Sequence, residues 1–362
     1  MSPFGTRRTC ERTQLLSIQN VIFFFLPNVV LGAGEAMRRR EFIAFVGSTA
    51  AAWPLAGRAQ QAMPVIGFLS SAAPGPFKQF VEAFQRGLDE KGFIEGQNAT
   101  IEYRWAEGRF DRLPALATDL VQHNVAVITA SGGPPSALAA KAATSTIPIV
   151  FIVASDPIKL GLVASLNHPG GNATGVNLFS VAVEPKKLEL LHELVPKAQI
   201  IGVFVNPHNT NAETIIGEVE RAARALQLQI NVVKVSAADE FGAAFASLVR
   251  QAAGALLVAA DPFFTAQREA LVAFAAQYSI PAIYEFREFT AAGGLISYGT
   301  NLSEAYHQVG GYTGRILKGE KPSDLPVVQP TKFELVINIK TVKTLGLTVP
   351  PNLFALADEV IE

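Results

Sequence analysis

Three short stretches carry small hydroxyl or acidic side chains directly after an apolar run. They are Ser70-Ser71 after Met63 to Leu69, Ser131-Gly132 beyond Val125 to Thr129, and Ser155-Asp156 beyond Ile147 to Val153. Loops of this kind suit a carboxylate or zwitterionic solute, because free backbone N–H groups at a helix start attract anions. Asp156 is the candidate partner for an ammonium group. Each of these residues also has a plain reading as a helix cap, which needs no ligand. A second set stands at comparable exits further along: Asn206 after Ile200 to Val205, Asp261 after Ala255 to Val258, and Tyr284-Glu285 after Pro281. Asn177 lies near the end of the extended segment from Thr174 to Leu178. Asp261-Pro262 repeats the Asp156-Pro157 turn, and the adjoining Phe263 and Phe264 suit either stacking on an apolar ligand or the core.

These residue types do not assemble into a catalytic set. The histidines at 123, 168, 192, 208 and 307 show no metal-ligand spacing, and neither a G-x-S-x-G nor a P-loop motif is present. Gly67 to Ser71 lacks the glycines of a dinucleotide fingerprint. The single cysteine, Cys10, can make neither an internal disulfide nor a thiolate metal site. The chain is therefore expected to be no enzyme and to need no cofactor and no metal. The rivals of other classes are a hydrolase acting in a cleft of the same shape and a sensor that binds a small molecule without transport.

The elements that must hold these loops alternate between strand and helix from Met63 onward. Helical spacing runs from Phe77 to Lys91, Arg112 to His123 and Ser136 to Ala143, and a short helix is expected from Pro157 to Leu166. The rhythm resumes with helices over Pro185 to Leu194, Glu213 to Leu226, Phe241 to Gln251, Gln267 to Tyr278 and Asn301 to Leu317. A last strand is expected over Lys332 to Asn338 and a last helix over Ile339 to Leu345. Such alternation predicts an α/β fold with parallel sheets flanked by helices. With 362 residues, 49% of them hydrophobic, the chain is long enough for two cores. One lobe is expected over 63–176 with 301–324, and the other over 177–300 with 329–349. Ligands of such sheets sit outside the carboxyl ends of the strands, where the candidate loops stand.

The formal charge of −1 argues against nucleic acid as a partner. From Met37 the chain reads as an export signal over 37–59: Arg38-Arg39-Arg40, an apolar stretch from Phe42 to Leu55, and small residues at Gly57 and Ala59. Arg39-Arg40-Glu41-Phe42-Ile43 resembles the twin-arginine motif. Residues 1–36 precede that signal and read as a doubtful extension, translation being expected to start at Met37.

The strand-to-turn segment Ala154 to Pro157, the stretch Leu162 to Gly175 (LVASLNHPGGNATG) and Gly67 to Ser71 (GFLSS) resemble the substrate-binding proteins of bacterial ABC importers. The likeness is greatest to the type 1 periplasmic-binding-protein subgroup that includes tryptophan and tyrosine binders. It covers about Met63 to Leu356 and is family-specific in the central segment. It implies two Rossmann-like lobes joined by three crossings, a monomer closing by hinge motion on a small-molecule ligand in the periplasm, and delivery to a cognate permease and ATPase.

Overall fold

The computed structural model describes residues 63–362, so the extension expected at 1–36 and the export signal expected at 37–59 lie outside the described residues. The apolar runs form two sheets. The first holds β1 (Val65–Ser70), β2 (Thr100–Trp105), β3 (Val127–Ser131), β4 (Ile149–Val153) and β5 (Ala173–Asn177), in the order β2-β1-β3-β4-β5, with every pair parallel. Every residue of β3, β4 and β5 is buried, as a parallel sheet covered on both faces requires. Helices α1 (Pro74–Asp89), α2 (Leu113–Gln122) and α3 (Pro134–Ala143) make the crossovers.

The chain enters the second sheet through α4 (Ser180–Leu194). That sheet runs through β6 (Ile200–Val205), α5 (Ala212–Ala225), β7 (Gln229–Lys234), α6 (Phe241–Arg250), β8 (Ala255–Val258), α7 (Pro262–Ala266), α8 (Arg268–Gln277), β9 (Ala282–Tyr284), α9 (Arg287–Ala291) and β10 (Ile296–Gly299). Helix α10 (Leu302–Leu317) then returns to the first sheet. It stacks Tyr306 on Phe80 of α1 at 5.4 Å and places the Thr313 hydroxyl 3.1 Å from that of Thr129 in β3. A third crossing runs beside β5, with the Asn177 N–H donating to the Val328 carbonyl at 2.9 Å and the Val328 N–H to the Gly175 carbonyl at 2.8 Å. The chain ends in the second sheet with β11 (Glu334–Asn338), α11 (Ile339–Thr344), α12 (Pro351–Leu356) and β12 (Glu359–Ile361). The strand order is β12-β11-β10-β9-β8-β6-β7, and only the β10–β11 pair is antiparallel.

Three local expectations change. No helix spans Pro157 to Leu166. The Asp156 cap starts one turn, then Gly161 at φ +71° reverses the backbone and the chain continues as loop, with Leu162 and Val163 buried beneath. Helix α4 begins at Ser180, five residues before Pro185, which sits inside it. Proline in that position removes a helical hydrogen bond, so the extra turn is held by packing rather than by propensity, with Ser180, Val183 and Glu184 all buried. Finally, the second sheet continues past residue 349. Three half-buried residues, Glu359 to Ile361, are too few to show a periodicity, yet they pair with β11. No helix among the described residues is long and apolar enough to cross a membrane.

Candidate functional site

A cavity opens where the carboxyl ends of β3 and β4 meet those of β8 and β9. Its first-lobe wall is largely neutral: Phe77 at the start of α1, the backbone of Gly132 and Gly133 before α3, and Ile152 and Ala154 at the end of β4. Leu302 and Tyr306 of α10 complete it. Tyr306 is 2% exposed, and burial pushes its hydroxyl well above the ordinary range, against a pull from Ser131 and the Gly132 backbone beside it.

The second-lobe wall carries carboxyl groups. Asp261, at the exit of β8, caps α7: its Oδ1 accepts from the Phe263 N–H at 2.7 Å and from Asn206 Nδ2 at 3.1 Å, and its Oδ2 accepts from Asn209 Nδ2 at 2.8 Å. Burial pushes this carboxyl up, while those donors pull it down. Glu285 follows β9 and is 4% exposed, and neither of its oxygens has a hydrogen-bond partner among the described residues. Burial pushes its carboxyl up to about 7; the Lys187 ammonium and the Ser180 hydroxyl pull it down, and the Glu184 carboxylate adds to the rise. Ser180 stands beside Glu285 without completing a hydrogen bond.

Beneath this wall lies an ion pair with no exposed side-chain surface. Lys187 Nζ donates to Glu184 at 3.0 and 3.2 Å and to the Val258 carbonyl at 2.8 Å, and Glu184 Oε1 accepts from the Ala260 N–H at 3.1 Å. Ser180, Glu184 and Lys187 repeat at helical spacing along one face of α4, so the helix lays a polar stripe under the ends of β8 and β9. That stripe is legible in the sequence as three polar residues at i, i+4 and i+7, but Pro185 argues against reading it as helical. Asn209 and Asn211, three and five residues beyond the expected Asn206, line the cavity as well.

Of the residues expected from sequence, Gly132, Asp261 and Glu285 line the cavity. Ser70 and Ser71 are buried and spent on their own loop. Ser70 Oγ accepts from the Ala72 N–H, and Ser71 Oγ donates to the Gly132 carbonyl at 2.5 Å. Ser131 is fully buried, and its hydroxyl has no hydrogen-bond partner among the described residues. Asn177 Oδ1 accepts from the Phe179 N–H at the first crossing. Asn206 touches Asp261 rather than the cavity. Asp156 is exposed, and its Oδ1 accepts from the N–H groups of Ile158 and Lys159 at 2.9 and 3.3 Å, the bonds of a cap. Tyr284 points away from the cleft and stacks on Phe289 at 4.6 Å, because successive strand residues face opposite sides of a sheet and Glu285 takes the cleft side. Phe264 belongs to the core, and Phe263 packs against Phe241.

The lobes touch across the cavity. Ser155 Oγ lies 2.6 Å from Asn211 Oδ1, and Arg268 Nη1 donates to the Pro76 carbonyl at 3.1 Å. One apolar cluster runs from Phe68, Phe80 and Phe84 to Phe264 and Phe286.

Residues 65–361 match the model of the ABC transporter substrate binding protein family. The chain belongs to that family. It is 29% identical over 266 residues to a tyrosine-binding protein of Clostridioides difficile, covering 74% of this chain and 76% of the relative. Among solved structures it resembles an ABC domain from Streptococcus pneumoniae in complex with L-Trp, with a TM-score of 0.74 and 25% identity over 83% of this chain and all of the other. It also resembles the ligand-free, open form of a substrate-binding protein from Clostridium difficile, with a TM-score of 0.59 and 27% identity over 82% and 99% of the two chains. The higher score against the liganded structure, at slightly lower identity, agrees with the contacts across the cleft. The protein is the solute-binding component of an ABC importer, an α/β protein of the type 1 periplasmic-binding-protein fold.

Proposed function

We propose that the cleft binds an amphipathic small molecule of amino-acid size, with an aromatic or apolar body and a charged head, and hands it to a cognate permease and ATPase without altering it. The observation that carries this reading is the make-up of the cavity lining: Phe77, Ile152, Leu302 and Phe286 supply apolar surface, while Asp261 and Glu285 of the second lobe supply carboxyl groups. A concave site lined mostly by apolar side chains, with few polar groups, suits a ligand of that kind. The tyrosine-binding relative and the L-Trp complex support the same class. Of the residues expected from sequence, Gly132, Asp261 and Glu285 take the ligand contacts, joined by Asn209, Asn211 and Tyr306. Ser155 and Asn211 belong to the closure contact.

The protein works outside the cytoplasm as a monomer, exported through residues 37–59. Thermal-shift screening of the exported protein against the common amino acids, followed by calorimetric titration, tests the binding role: a bound solute raises the melting temperature with occupancy and is recovered unchanged. Recovery of a chemically altered solute would replace the binder with an enzyme. Sequencing the mature N-terminus near Gln60 tests the export route.

A further inference from the structure

The buried carboxylates of the cleft are unequally provided for. Asp261 receives donors from Asn206, Asn209 and Phe263, and Glu184 is answered by Lys187 and the Ala260 N–H. Glu285, equally buried, receives none among the described residues. Lys187 cannot supply one. An ammonium has three N–H donors, and those of Lys187 go to Glu184 and to the Val258 carbonyl. The place of Glu285 is fixed from the other side by β10, where a methyl group on Gly299 would stand 2.7 Å from Glu285 Cγ. A carboxyl group so placed keeps its proton or takes a cation, since an unpaired buried charge is costly.

We infer, resting on the reading of the cleft as the ligand site, that Glu285 accepts the cationic ammonium head of the ligand, and that this ammonium takes the place of a proton on Glu285. The Glu184–Lys187 pair is the fixed floor that positions it. The balance is one proton released to solvent for each ammonium bound, the ligand keeping its own N–H groups. The ionisable groups facing Glu285 are Lys187 and Glu184 from α4, Asp261 from the exit of β8, and Tyr306 from α10 across the cavity. Burial holds the Tyr306 hydroxyl far above neutrality, so it keeps its proton. Asp261, also pushed up, is the competing source of a released proton.

The test uses L-tyrosine and L-tryptophan, their des-amino acids, and tyramine and tryptamine, titrated calorimetrically in two buffers of different ionisation enthalpy. Compounds carrying the ammonium release nearly one proton each at pH 6, about half a proton at pH 7 and little at pH 8. Their affinity falls by up to about tenfold per unit below pH 6. Glu285→Gln abolishes the release and weakens those compounds by about 10- to 100-fold, leaving the des-amino acids unchanged. Asp261→Asn keeps the release. Tight binding without proton release, or release lost in Asp261→Asn and kept in Glu285→Gln, overturns the inference while the cleft remains a binding site. If no compound binds, the proposed ligand class fails, and the ligand-free protein still decides on Glu285. Wild type and Glu285→Gln must then diverge in stability as pH rises from 5 to 8, and parallel curves overturn the proton on Glu285.

Discussion

Asp156-Pro157 and Asp261-Pro262 are the same dipeptide at the exit of a buried parallel strand, one in each lobe, and each aspartate caps the turn it begins by accepting from the N–H two residues on. There the likeness ends. Asp156 is exposed and serves its own turn, whereas Asp261 is 5% exposed, holds Asn206 and Asn209, and lines the cleft. The difference extends to the walls around them. The first lobe spends Ser70 and Ser71 on its own loops and shows the cavity carbon and backbone, while the second shows it Asp261 and Glu285 over a buried ion pair. A repeated motif therefore fixes a turn, and its depth beneath neighbouring loops decides whether the carboxylate serves the backbone or a ligand.

The largest effect expected from breaking that contrast is at Lys187. Lys187→Met leaves Glu184 without its cation and the Val258 carbonyl without a donor, and should cost about 3–5 kcal/mol in urea unfolding at pH 7. A loss under 1 kcal/mol would mean that the carboxyl-bearing wall does not depend on its floor.

Glu285→Gln should act in the opposite direction. A carboxyl whose folded value is raised from 4.5 to about 7 binds its proton more tightly in the folded state, so stability falls as pH rises between those values. The neutral variant escapes that cost. It should be more stable than wild type by about 3 kcal/mol above pH 7, with the difference fading toward pH 4.5. Denaturant unfolding of both proteins at pH 5 and pH 8 measures it.

The paired aspartates give the direct comparison. Asp261→Ala strands two asparagine amides and a backbone donor in a buried site and should cost about 2–3 kcal/mol together with ligand affinity. Asp156→Ala removes a surface cap and should cost about 1 kcal/mol with affinity unchanged. Equal losses in the two variants would dissolve the distinction between the turns. The smallest effect is expected at Ser155→Ala, which removes one contact across the cleft. It should shift lobe closure by about 0.5–1.5 kcal/mol, read as a larger radius of gyration of the ligand-free protein in small-angle scattering.

Much of this molecule is legible along the chain. Runs such as Ile149 to Val153 and Ala255 to Val258 are apolar at every position and bounded by turn residues, so they specify buried parallel strands locally, and candidate residues at their exits fall near the cleft. Proline followed by buried hydrophobes likewise marks α1 and α3. The strand-helix rhythm, and the side of the sheets to which the candidate loops belong, thus follow from residues close together in the chain. Which polar side chains face the cleft depends instead on contacts between distant parts of the chain. Asp156 and Asp261 look alike until the Asn206–Asn211 loop, some 50 residues before Asp261, covers one of them. Tyr284 and Glu285 are adjacent, and the pleat of β9 sends one to a neighbouring aromatic and the other to the cleft. The Ser180, Glu184 and Lys187 stripe is helical in spite of Pro185 because backbone partners at and just beyond the end of β8, more than 70 residues away, take up its charges. Burial, and with it the cost of leaving a charge unpaired, is a property of what the rest of the chain lays over a residue.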